Sequence, residues 1–219
     1  GCPVIEFRAH RPGSRTVLAV GTDCCSGKMT TMLELEREAG VRGLDGSFVA
    51  TGQIGMMISG GGVAVDGIIV DFVNSIVEEV VFTAAQEHDL VLVEGQGALN
   101  HPCYSVVTLG LLHGSRPDSM ILCHELGRTA IELLPDCPLP SLNRAIEINE
   151  QAARWMWPER HCKVAGISVI TGHLPDSDAR VALTQLEEET GLPTTDVLRY
   201  GPARLMDAIL SEPAAGKDS

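Results

Sequence analysis

Residues 16–31 read TVLAVGTDCCSGKMTT, an apolar run that leads directly into a loop rich in glycine and hydroxyl side chains. Residues 16–20 predict a β-strand and a helix-forming stretch follows, so the order is strand, glycine loop, lysine and helix. Glycine lets successive backbone N–H groups turn inward around an anion, the helix adds its positive end, and a lysine supplies a full charge. This stretch therefore predicts a phosphate loop of the Walker A type that binds ATP together with Mg²⁺. The predicted cofactor-binding residues are Gly21, Thr22, Asp23, Cys24, Cys25, Ser26, Gly27, Lys28, Met29, Thr30 and Thr31, and Lys28 is also predicted to act in catalysis.

The loop departs from the common pattern in two ways. Five residues separate Gly21 from Gly27, one more than usual, and Met29 stands where a serine or threonine normally binds the metal. Thr30 or Thr31 must therefore take that role, and Thr30 is the predicted metal ligand. The alternative is a Gly-Lys turn that opens a helix without any ligand, which leaves the coincidence of glycines, lysine and hydroxyls unexplained.

Short apolar, β-branched runs alternate with helix-length segments along the rest of the chain. This alternation predicts the α/β class, with a mainly parallel sheet flanked by helices on both faces. The predicted strands are residues 16–20, 47–50, 90–93, 120–123, 164–170 and 194–198, and the predicted helices are residues 29–39, 69–86, 142–155, 177–189 and 202–210. The expected organisation is an N-terminal extension or linker at residues 1–15, a phosphate-loop domain at residues 16–210, and a flexible tail at residues 211–219. Because the chain starts at Gly1 without a methionine, we also expect that an upstream domain is missing.

The amino-acid composition limits which classes of partner this protein can bind. Asp and Glu total 29 against 16 Lys and Arg, a net charge of −13, which repels nucleic acid. The apolar runs are too short to span a bilayer, and seven cysteines without paired spacing are typical of reduced thiols in the cytoplasm. We therefore expect a soluble cytoplasmic protein, forming a homo-oligomer, that acts on small molecules and binds neither nucleic acid nor membrane.

A second motif follows another predicted strand. Residues 90–94 read LVLVE, four apolar residues that end in a carboxylate, as in a Walker B strand with Glu in place of Asp. A carboxylate there reaches Mg²⁺ directly or through water. Glu94 is therefore predicted as a catalytic residue and metal ligand; the alternative is a surface Glu that caps the strand.

Two glycine-rich segments, residues 52–62 and 95–114, follow predicted strands on the side where open parallel sheets bind ligands. Residues 52–62 are predicted to form a mobile lid or an acceptor site. Gln53 and Gln96 suit a carboxylate or amide and are predicted to bind substrate. Asp71, or alternatively Asp66, is predicted as a second metal carboxylate, with helix capping and solvation as the competing explanation.

Histidines and one arginine complete the predicted site. His101, His113 and His124 fall in predicted loops or strand ends on the ligand side, and a neutral imidazole can accept the proton that an attacking amine loses. His101 and His124 are predicted as catalytic and His113 as substrate-binding, although a single histidine is more often structural. Arg128 is predicted to clamp a substrate carboxylate or to stabilise phosphoryl charge, against the alternative of a surface residue. A zinc site built from His101-x-Cys103 and Cys123-His124 has unfavourable spacing.

These motifs carry a resemblance to known families. The stretch Gly21-Thr22-Asp23 with Gly27-Lys28 resembles the phosphate loop of dethiobiotin synthetase, which uses ATP to phosphorylate a carboxylate. Nearly the whole chain resembles the P-loop domain of the DgcN-type family. This resemblance rests on residues 21–24, 27–31, 48–53, 93–97, 101–102, 111–114, 122–125 and 191–193. It implies a dethiobiotin synthetase-like P-loop fold and an N-terminal Rossmann-like domain in the full-length protein. Some members are described as D-glutamate N-acetyltransferases, whereas the ligase-like loop implies ATP-dependent amide formation.

Three functions follow from these patterns. The first is an ATP-dependent ligase that activates a carboxylate as an acyl phosphate and joins it to an amine. The second is an N-acetyltransferase that uses acetyl-CoA and an amino acid such as D-glutamate, with the loop gripping the phosphates of the coenzyme. The third is a nucleotide switch, for which the Asn-Lys-x-Asp guanine motif is absent.

Overall fold

The computed structural model describes residues 5–212, so the predicted tail beyond residue 212 and the first four residues of the predicted extension lie outside the described range. The strands are β1 Arg15–Gly21, β2 Gly46–Val49, β3 Leu90–Val93, β4 Ser119–Glu125, β5 Ala130–Ile131, β6 Leu134–Pro138, β7 Lys163–Ile170 and β8 Thr194–Thr195. The helices are α1 Lys28–Val41, α2 Gln53–Ser59, α3 Val70–Glu87, α4 Ser105–Ser115, α5 Leu142–Ala153, α6 Asp176–Thr190, α7 Val197–Tyr200 and α8 Ala203–Ser211. No helix within residues 5–212 has both the length and the hydrophobicity needed to cross a membrane.

Six strands form one parallel sheet in the order β2-β3-β1-β4-β7-β8, and β5 and β6 form a separate antiparallel hairpin. Apolar residues on one face of the sheet pack with α3, α4, α5 and α6. Those on the other face pack with α1 and α8. This arrangement confirms the predicted α/β class, and it places the carboxyl ends of β1, β3, β4 and β7 at one edge of the sheet.

The two glycine-rich segments are more regular than predicted. Residues 53–59 form helix α2 and residues 105–115 form helix α4, and neither helix was among those predicted. The glycines in α4 serve close helix packing. A Cβ on Gly110 would lie 2.6 Å from Val73 Cγ1, and one on Gly114 would lie 2.6 Å from Asn74 O, both in α3. These glycines therefore allow α3 and α4 to approach closely, instead of marking a turn.

The last predicted strand is also shorter than expected. Only Thr194 and Thr195 pair with β7, and residues 197–200 form helix α7. The Asp196 side chain caps this helix by accepting from the backbone N–H groups of Leu198 and Arg199. A capping carboxylate directly after two threonines ends the strand and begins the helix.

Residues 5–14, predicted as an extension, lie along α3. The buried side chain of Glu78 accepts hydrogen bonds from the backbone N–H groups of Glu6, at 2.7 Å, and Arg8, at 2.8 Å. Arg116 also forms an ion pair with Glu78, at 3.6 Å. The segment is thus attached to the helix by a charged acceptor inside the fold.

His10, in this segment, gives a testable pH dependence of stability. Its Nδ1 lies 3.2 Å from Thr16 Oγ1, and burial, followed by the charges of Arg116 and Arg160, lowers the pKa of His10 from 6.5 to about 4. The unfolded chain therefore takes up a proton at a higher pH than the folded chain, and stability falls as the pH drops from 6.5 towards 4. We expect the free energy of unfolding in urea to fall less between pH 7 and pH 5 in His10→Gln than in the wild type. His161→Gln, at an exposed position, should keep the wild-type difference, and an equal fall in all three proteins would contradict the assignment.

Candidate functional site

The predicted phosphate loop joins β1 to α1. Strand β1 ends at Gly21 and α1 begins at Lys28, and the loop curls through positive φ angles of 53° at Cys25 and 90° at Gly27. Lys28 Nζ donates to Asp23 O at 2.7 Å and to Ser26 Oγ at 3.2 Å. Burial lowers the pKa of the Lys28 ammonium. No carboxylate of residues 5–212 forms an ion pair with it, so a buried cation rests on neutral oxygen atoms, as a site for an anion requires.

A cavity of about 450 Å³ opens over this loop. It brings Lys28 and Thr30 together with Glu94 and Gln96, which come from the segment after β3. The loop contributes residues 24–30 to its lining, and Ile170 from β7 closes one side. Gly21, Thr22, Asp23 and Thr31, which were also predicted to bind the cofactor, are buried and do not line this cavity. Seven of the eleven predicted residues thus line the cavity, and the other four lie buried beneath it.

The structure decides which threonine faces the cavity. Thr31 Oγ1 lies 2.9 Å from Gly27 O and 2.8 Å from Ser168 Oγ of β7, inside the protein. Thr30 lines the cavity one residue earlier. Thr30 is therefore the hydroxyl in position to ligate a metal ion beside the phosphates.

Glu94 has two connected roles. Its Oε2 accepts from the backbone N–H groups of Thr51, at 2.8 Å, and Gly52, at 2.9 Å, and so ties β3 to the start of α2. Oε1 carries no hydrogen bond from the described residues, and the side chain lines the cavity. A carboxylate oxygen and a threonine hydroxyl are ligands that fit Mg²⁺, and a neighbouring ammonium fits the phosphates of a polyphosphate.

Asp23 lies beneath the loop and is fully buried. It accepts from Cys24 N at 2.7 Å, from Glu132 N at 2.7 Å and from Arg128 Nη1 at 2.8 Å. Burial raises the pKa of Asp23, but the hydrogen bond from Glu132 N and the bond and charge of Arg128 outweigh it, so the pKa lies below its ordinary value. Asp23 therefore stays ionised and joins the loop to the β5–β6 hairpin.

The contacts of Arg128 differ from those that the sequence predicted. Besides Asp23, it donates to Cys24 O at 3.0 Å and to Glu125 Oε2, and Glu132 lies 3.6 Å away. A guanidinium surrounded by three carboxylates has little capacity left for a substrate carboxylate. The predicted clamp is therefore replaced by a structural role, in which Arg128 holds the underside of the phosphate loop.

The three predicted histidines occupy different places. His124 Nδ1 is hydrogen-bonded to Thr22 Oγ1 at 2.9 Å, and burial, followed by the charge of Arg128, lowers the pKa of His124, so its ring is neutral near pH 7. His101 is buried with Nε2 3.9 Å from Asp23 Oδ1, and its Nδ1 accepts from Cys103 N at 3.1 Å. Both adjoin the phosphate loop, and neither lines the 450 Å³ cavity, so their catalytic role stays a prediction.

His113 does not lie at the site. It lies in α4, where its Nε2 donates to Ala152 O at 3.0 Å and its ring meets Trp155 edge-on. The prediction that His113 lies in a ligand-side loop was wrong, because the surrounding segment is helical and turns this side chain towards α5.

Two other predicted residues lie on the surface. Gln53 is exposed on α2 and donates to Asp66 Oδ2 at 3.0 Å. Asp71 is exposed in the first turn of α3. Neither lines the phosphate cavity, and Asp71, exposed in a first turn without a side-chain cap, fits the alternative of a solvated residue at a helix N-terminus better than metal binding.

Possible ligands for a transition metal differ from those that the sequence suggested. Within residues 5–212, the one group of three lies at Asp23, Cys24 and His101, whose ligand atoms are within 4.8 Å of one another. Cys103 is exposed and does not join them. Since the Asp23 oxygens already accept three hydrogen bonds, this group is poorly suited to a metal ion.

Several site residues were missed from the sequence. Asn100 Nδ2 donates to Thr22 O at 2.9 Å and so supports the loop. Glu125 and Glu132 line a cavity of about 360 Å³ beside Arg128, together with His173. The available signal was positional, because Asn100 follows the third strand, Glu125 ends the fourth and His173 lies just after the seventh.

Gly95 provides a test of how tightly the site is built. A Cβ at this position would lie 1.8 Å from Ala19 O and 2.9 Å from Lys28 Cδ. The first contact is with backbone, so β1 and β3 would have to separate, and we expect Gly95→Ala to cost about 1–3 kcal/mol and to weaken polyphosphate binding. Urea unfolding and calorimetric titration with pyrophosphate measure the two effects. Gly40→Ala, where a Cβ meets nothing within 4 Å, should keep binding; wild-type behaviour of Gly95→Ala would contradict the close contact.

Solved structures share this fold. A DUF1611 family protein from Anabaena variabilis aligns with a TM-score of 0.87 and 38% identity, covering 95% of this chain and 63% of that protein. Chloroplast FtsY from Physcomitrella patens aligns with a TM-score of 0.52 and 14% identity over 94% of this chain and 68% of FtsY. A nucleotide-binding protein in complex with ADP from Archaeoglobus fulgidus aligns with a TM-score of 0.51 and 12% identity, covering 92% of this chain and 90% of that protein. At 14% and 12% identity the likeness shows the fold alone, which is that of P-loop NTPases.

Two curated relatives match most of the chain. A protein named D-glutamate N-acetyltransferase from Tritonibacter scottomollicae is 43% identical over 199 residues, which are 91% of this chain and 59% of the relative. A protein of the same name from a Pseudoalteromonas species is 42% identical over 194 residues, 89% of this chain and 58% of the relative. The chain thus spans less than two thirds of the length of these relatives. The family model described as "Domain of unknown function (DUF1611_C) P-loop domain" matches residues 4–206, and together these matches confirm the predicted resemblance: the chain belongs to the DUF1611 P-loop family.

Proposed function

We propose that this chain is the donor-binding domain of an N-acetyltransferase, which transfers an acetyl group from acetyl-CoA to the amino group of an acidic amino acid such as D-glutamate. The observation that carries the proposal is the buried, unneutralised ammonium of Lys28 at the base of the 450 Å³ cavity, which fits the diphosphate of the coenzyme. The names of the two relatives support the choice of reaction and of acceptor.

The reaction needs a base and an anion site. The neutral amine attacks the thioester carbonyl, the new C–N bond forms, the C–S bond breaks, and the thiol leaves with the proton given up by the amine. His124 supports the role of proton acceptor, because the lowered pKa keeps its ring neutral near pH 7 and its Nδ1 is hydrogen-bonded to Thr22 of the loop.

A second candidate, the ATP-dependent ligase, is favoured by a specific arrangement. Thr30 and Glu94 share the cavity with Lys28, and this set suits a triphosphate with Mg²⁺ better than it suits a coenzyme diphosphate. In this reaction a substrate carboxylate takes the γ-phosphoryl group, ADP leaves, and the amine displaces phosphate from the acyl phosphate.

One assay separates the two functions. The chain is incubated with D-glutamate and either acetyl-CoA alone or ATP, Mg²⁺ and acetate; thiol release, ADP release and the N-acetyl product are measured. We expect thiol release and product with acetyl-CoA alone, and less with L-glutamate. ADP release that depends on both acetate and D-glutamate would instead establish the ligase, and the proposal fails if calorimetry finds no binding of acetyl-CoA to the chain.

Glu94→Gln sharpens this distinction. The substitution keeps an oxygen that can accept from Thr51 N and Gly52 N but removes the charge that a magnesium ion would need. We expect the acetyl-CoA reaction to persist in Glu94→Gln. A selective loss of ATP-dependent turnover would point to the ligase.

A further inference from the structure

Cys25 is the most accessible residue of the phosphate loop. Among residues 21–31 it alone is exposed, and the other ten are buried or half-buried. Cys25 also lines the 450 Å³ phosphate cavity. Its sulfur is not part of a disulfide, and no hydrogen bond from the described part of the chain occupies it. A free, solvent-accessible thiol therefore forms part of the wall of this cavity.

The more buried cysteines are poor nucleophiles by comparison. Burial raises the pKa of Cys123 to about 11 and that of Cys162 to about 12. Cys24, directly before Cys25, is half-buried, and burial is the main cause that raises its pKa. Because a thiolate, and not a thiol, attacks a disulfide, these three cysteines should react slowly near neutral pH. Cys25 is thus the thiol of the loop that is open to reaction.

The surroundings of Cys25 attract anions. Lys28 is close enough to Cys25 for the charges of the two side chains to interact, and its ammonium rests on neutral oxygen atoms. The start of α1 adds the partial positive charge of its first backbone N–H groups. Glu94 is the carboxylate of the lining, and two backbone N–H groups already offset part of its charge. A small disulfide that carries carboxylates, such as oxidised glutathione, is therefore attracted to the same place as a phosphate.

We propose that Cys25 is a site of reversible S-thiolation by small anionic disulfides, and that the group attached there excludes polyphosphates from the cavity. In the reaction, the Cys25 thiolate attacks one sulfur of oxidised glutathione, and the new S–S bond forms as the old one breaks. One glutathione leaves as a thiolate and takes up the proton that Cys25 released. The Cys25 sulfur is thereby oxidised, and the sulfur of the departing glutathione is reduced.

The attached group and a polyphosphate compete for one space. A glutathionyl group on Cys25 adds bulk and net negative charge to the cavity wall, beside Lys28. The competition acts in both directions, because a bound polyphosphate protects the thiol and the modified thiol opposes binding. The inference rests on the proposed function only in that the loop binds the phosphates of the donor, so it holds for acetyl-CoA and for ATP alike.

Protection by pyrophosphate tests the accessibility of the thiol. The full chain is treated with oxidised glutathione at pH 8, and peptide mass spectrometry follows each cysteine separately. With pyrophosphate at about 100 times its Kd, about 1% of the loop is free, so we expect the modification of Cys25 to slow by about tenfold or more. Cys103 is exposed but lies outside the lining of the cavity, and its rate should not depend on pyrophosphate.

Three results of this experiment would overturn the proposal. The first is an absence of modification at Cys25, and the second is an equal rate with and without bound pyrophosphate. The third is a loop peptide that loses two hydrogens without gaining a glutathionyl group, which would assign a disulfide between Cys24 and Cys25.

Calorimetric titration of the reduced protein separates these failures from failure of the loop assignment, in which pyrophosphate does not bind at all. Protected thiolation of Cys25 in a chain that does not bind acetyl-CoA would support the inference and contradict only the proposed function.

The affinity of the modified protein tests the exclusion of polyphosphates. When Cys25 carries a glutathionyl group, we expect the affinity for pyrophosphate to fall by about tenfold or more, because like charges then adjoin. Dithiothreitol should restore it. Cys103→Ser is the matched control and should lose affinity on treatment as the wild type does, whereas the affinity of Cys25→Ser should be the same before and after treatment. An unchanged affinity of fully modified wild type, or an equal loss in Cys25→Ser, would overturn the proposal.

Discussion

Replacing Lys28 by alanine should reduce the affinity for pyrophosphate and for adenine nucleotides by about 100-fold or more, while the protein remains folded. Lys28 is the buried cation of the phosphate loop, and its ammonium rests on Asp23 O and Ser26 Oγ without a carboxylate partner in the described chain. The anion therefore supplies the missing charge, and removing the ammonium removes that attraction from a desolvated site. Isothermal titration calorimetry measures the loss directly.

Lys163→Ala is the matched control. Lys163 begins β7 at the opposite edge of the sheet and pairs with Glu150 at 2.7 Å. This pair is partly exposed, so its removal should cost less than about 1 kcal/mol and leave binding unchanged. Unaltered affinity in Lys28→Ala, at an unchanged melting temperature, would rule out the phosphate-loop assignment.

Replacing Asp23 by alanine should have the largest effect on stability, about 3–5 kcal/mol. The fully buried carboxylate accepts from Cys24 N, Glu132 N and Arg128. Its loss leaves two backbone N–H groups at the base of the loop without their acceptor and removes one of the three carboxylates around the Arg128 guanidinium. The free energy of unfolding in urea, measured at 10 °C if the variant is only partly folded at room temperature, gives the cost.

Asp207→Ala provides the comparison, because this substitution also breaks an ion pair between an aspartate and an arginine. Asp207 pairs with Arg42 at 2.5 Å, but its side chain is 69% exposed, so a loss of about 1 kcal/mol or less is expected. Asp23→Asn should fall between the two, since the amide keeps one acceptor oxygen. Similar costs for Asp23→Ala and Asp207→Ala would show that burial of the Asp23–Arg128 pair does not matter.

How much of the site the sequence predicts depends on how far apart the interacting residues lie along the chain. Strand, loop and helix are consecutive in residues 15–41, so the position of Lys28 follows from local spacing. Glu94 could also be placed, because β3 is parallel to β1 and their carboxyl ends meet. The partners of Asp23 could not be predicted, since Arg128 and Glu132 lie 105 and 109 residues away along the chain.

Glycine-rich segments show the limit of reading composition alone. Glycine is typical of turns, but it also lets two backbones approach closely, and the sequence does not distinguish these uses. Gly110 and Gly114 belong to the second kind, because they face α3. Predicting a loop there misplaced His113, whereas the helix directs its ring to Ala152 O.

The sequence by itself determined the α/β class and the position of the phosphate loop, because contiguous residues encode a strand, a turn and a helix with the charge between them. Only the tertiary structure decided which hydroxyl lines the cavity and which histidines contact the phosphate loop. Thr31 is held inside by Ser168, 137 residues away, and Thr30 lines the cavity as a result. The physical reason is that side-chain orientation at a site is set by the packing of elements that are distant in sequence. The order of the residues along the chain does not show which of these elements will be in contact.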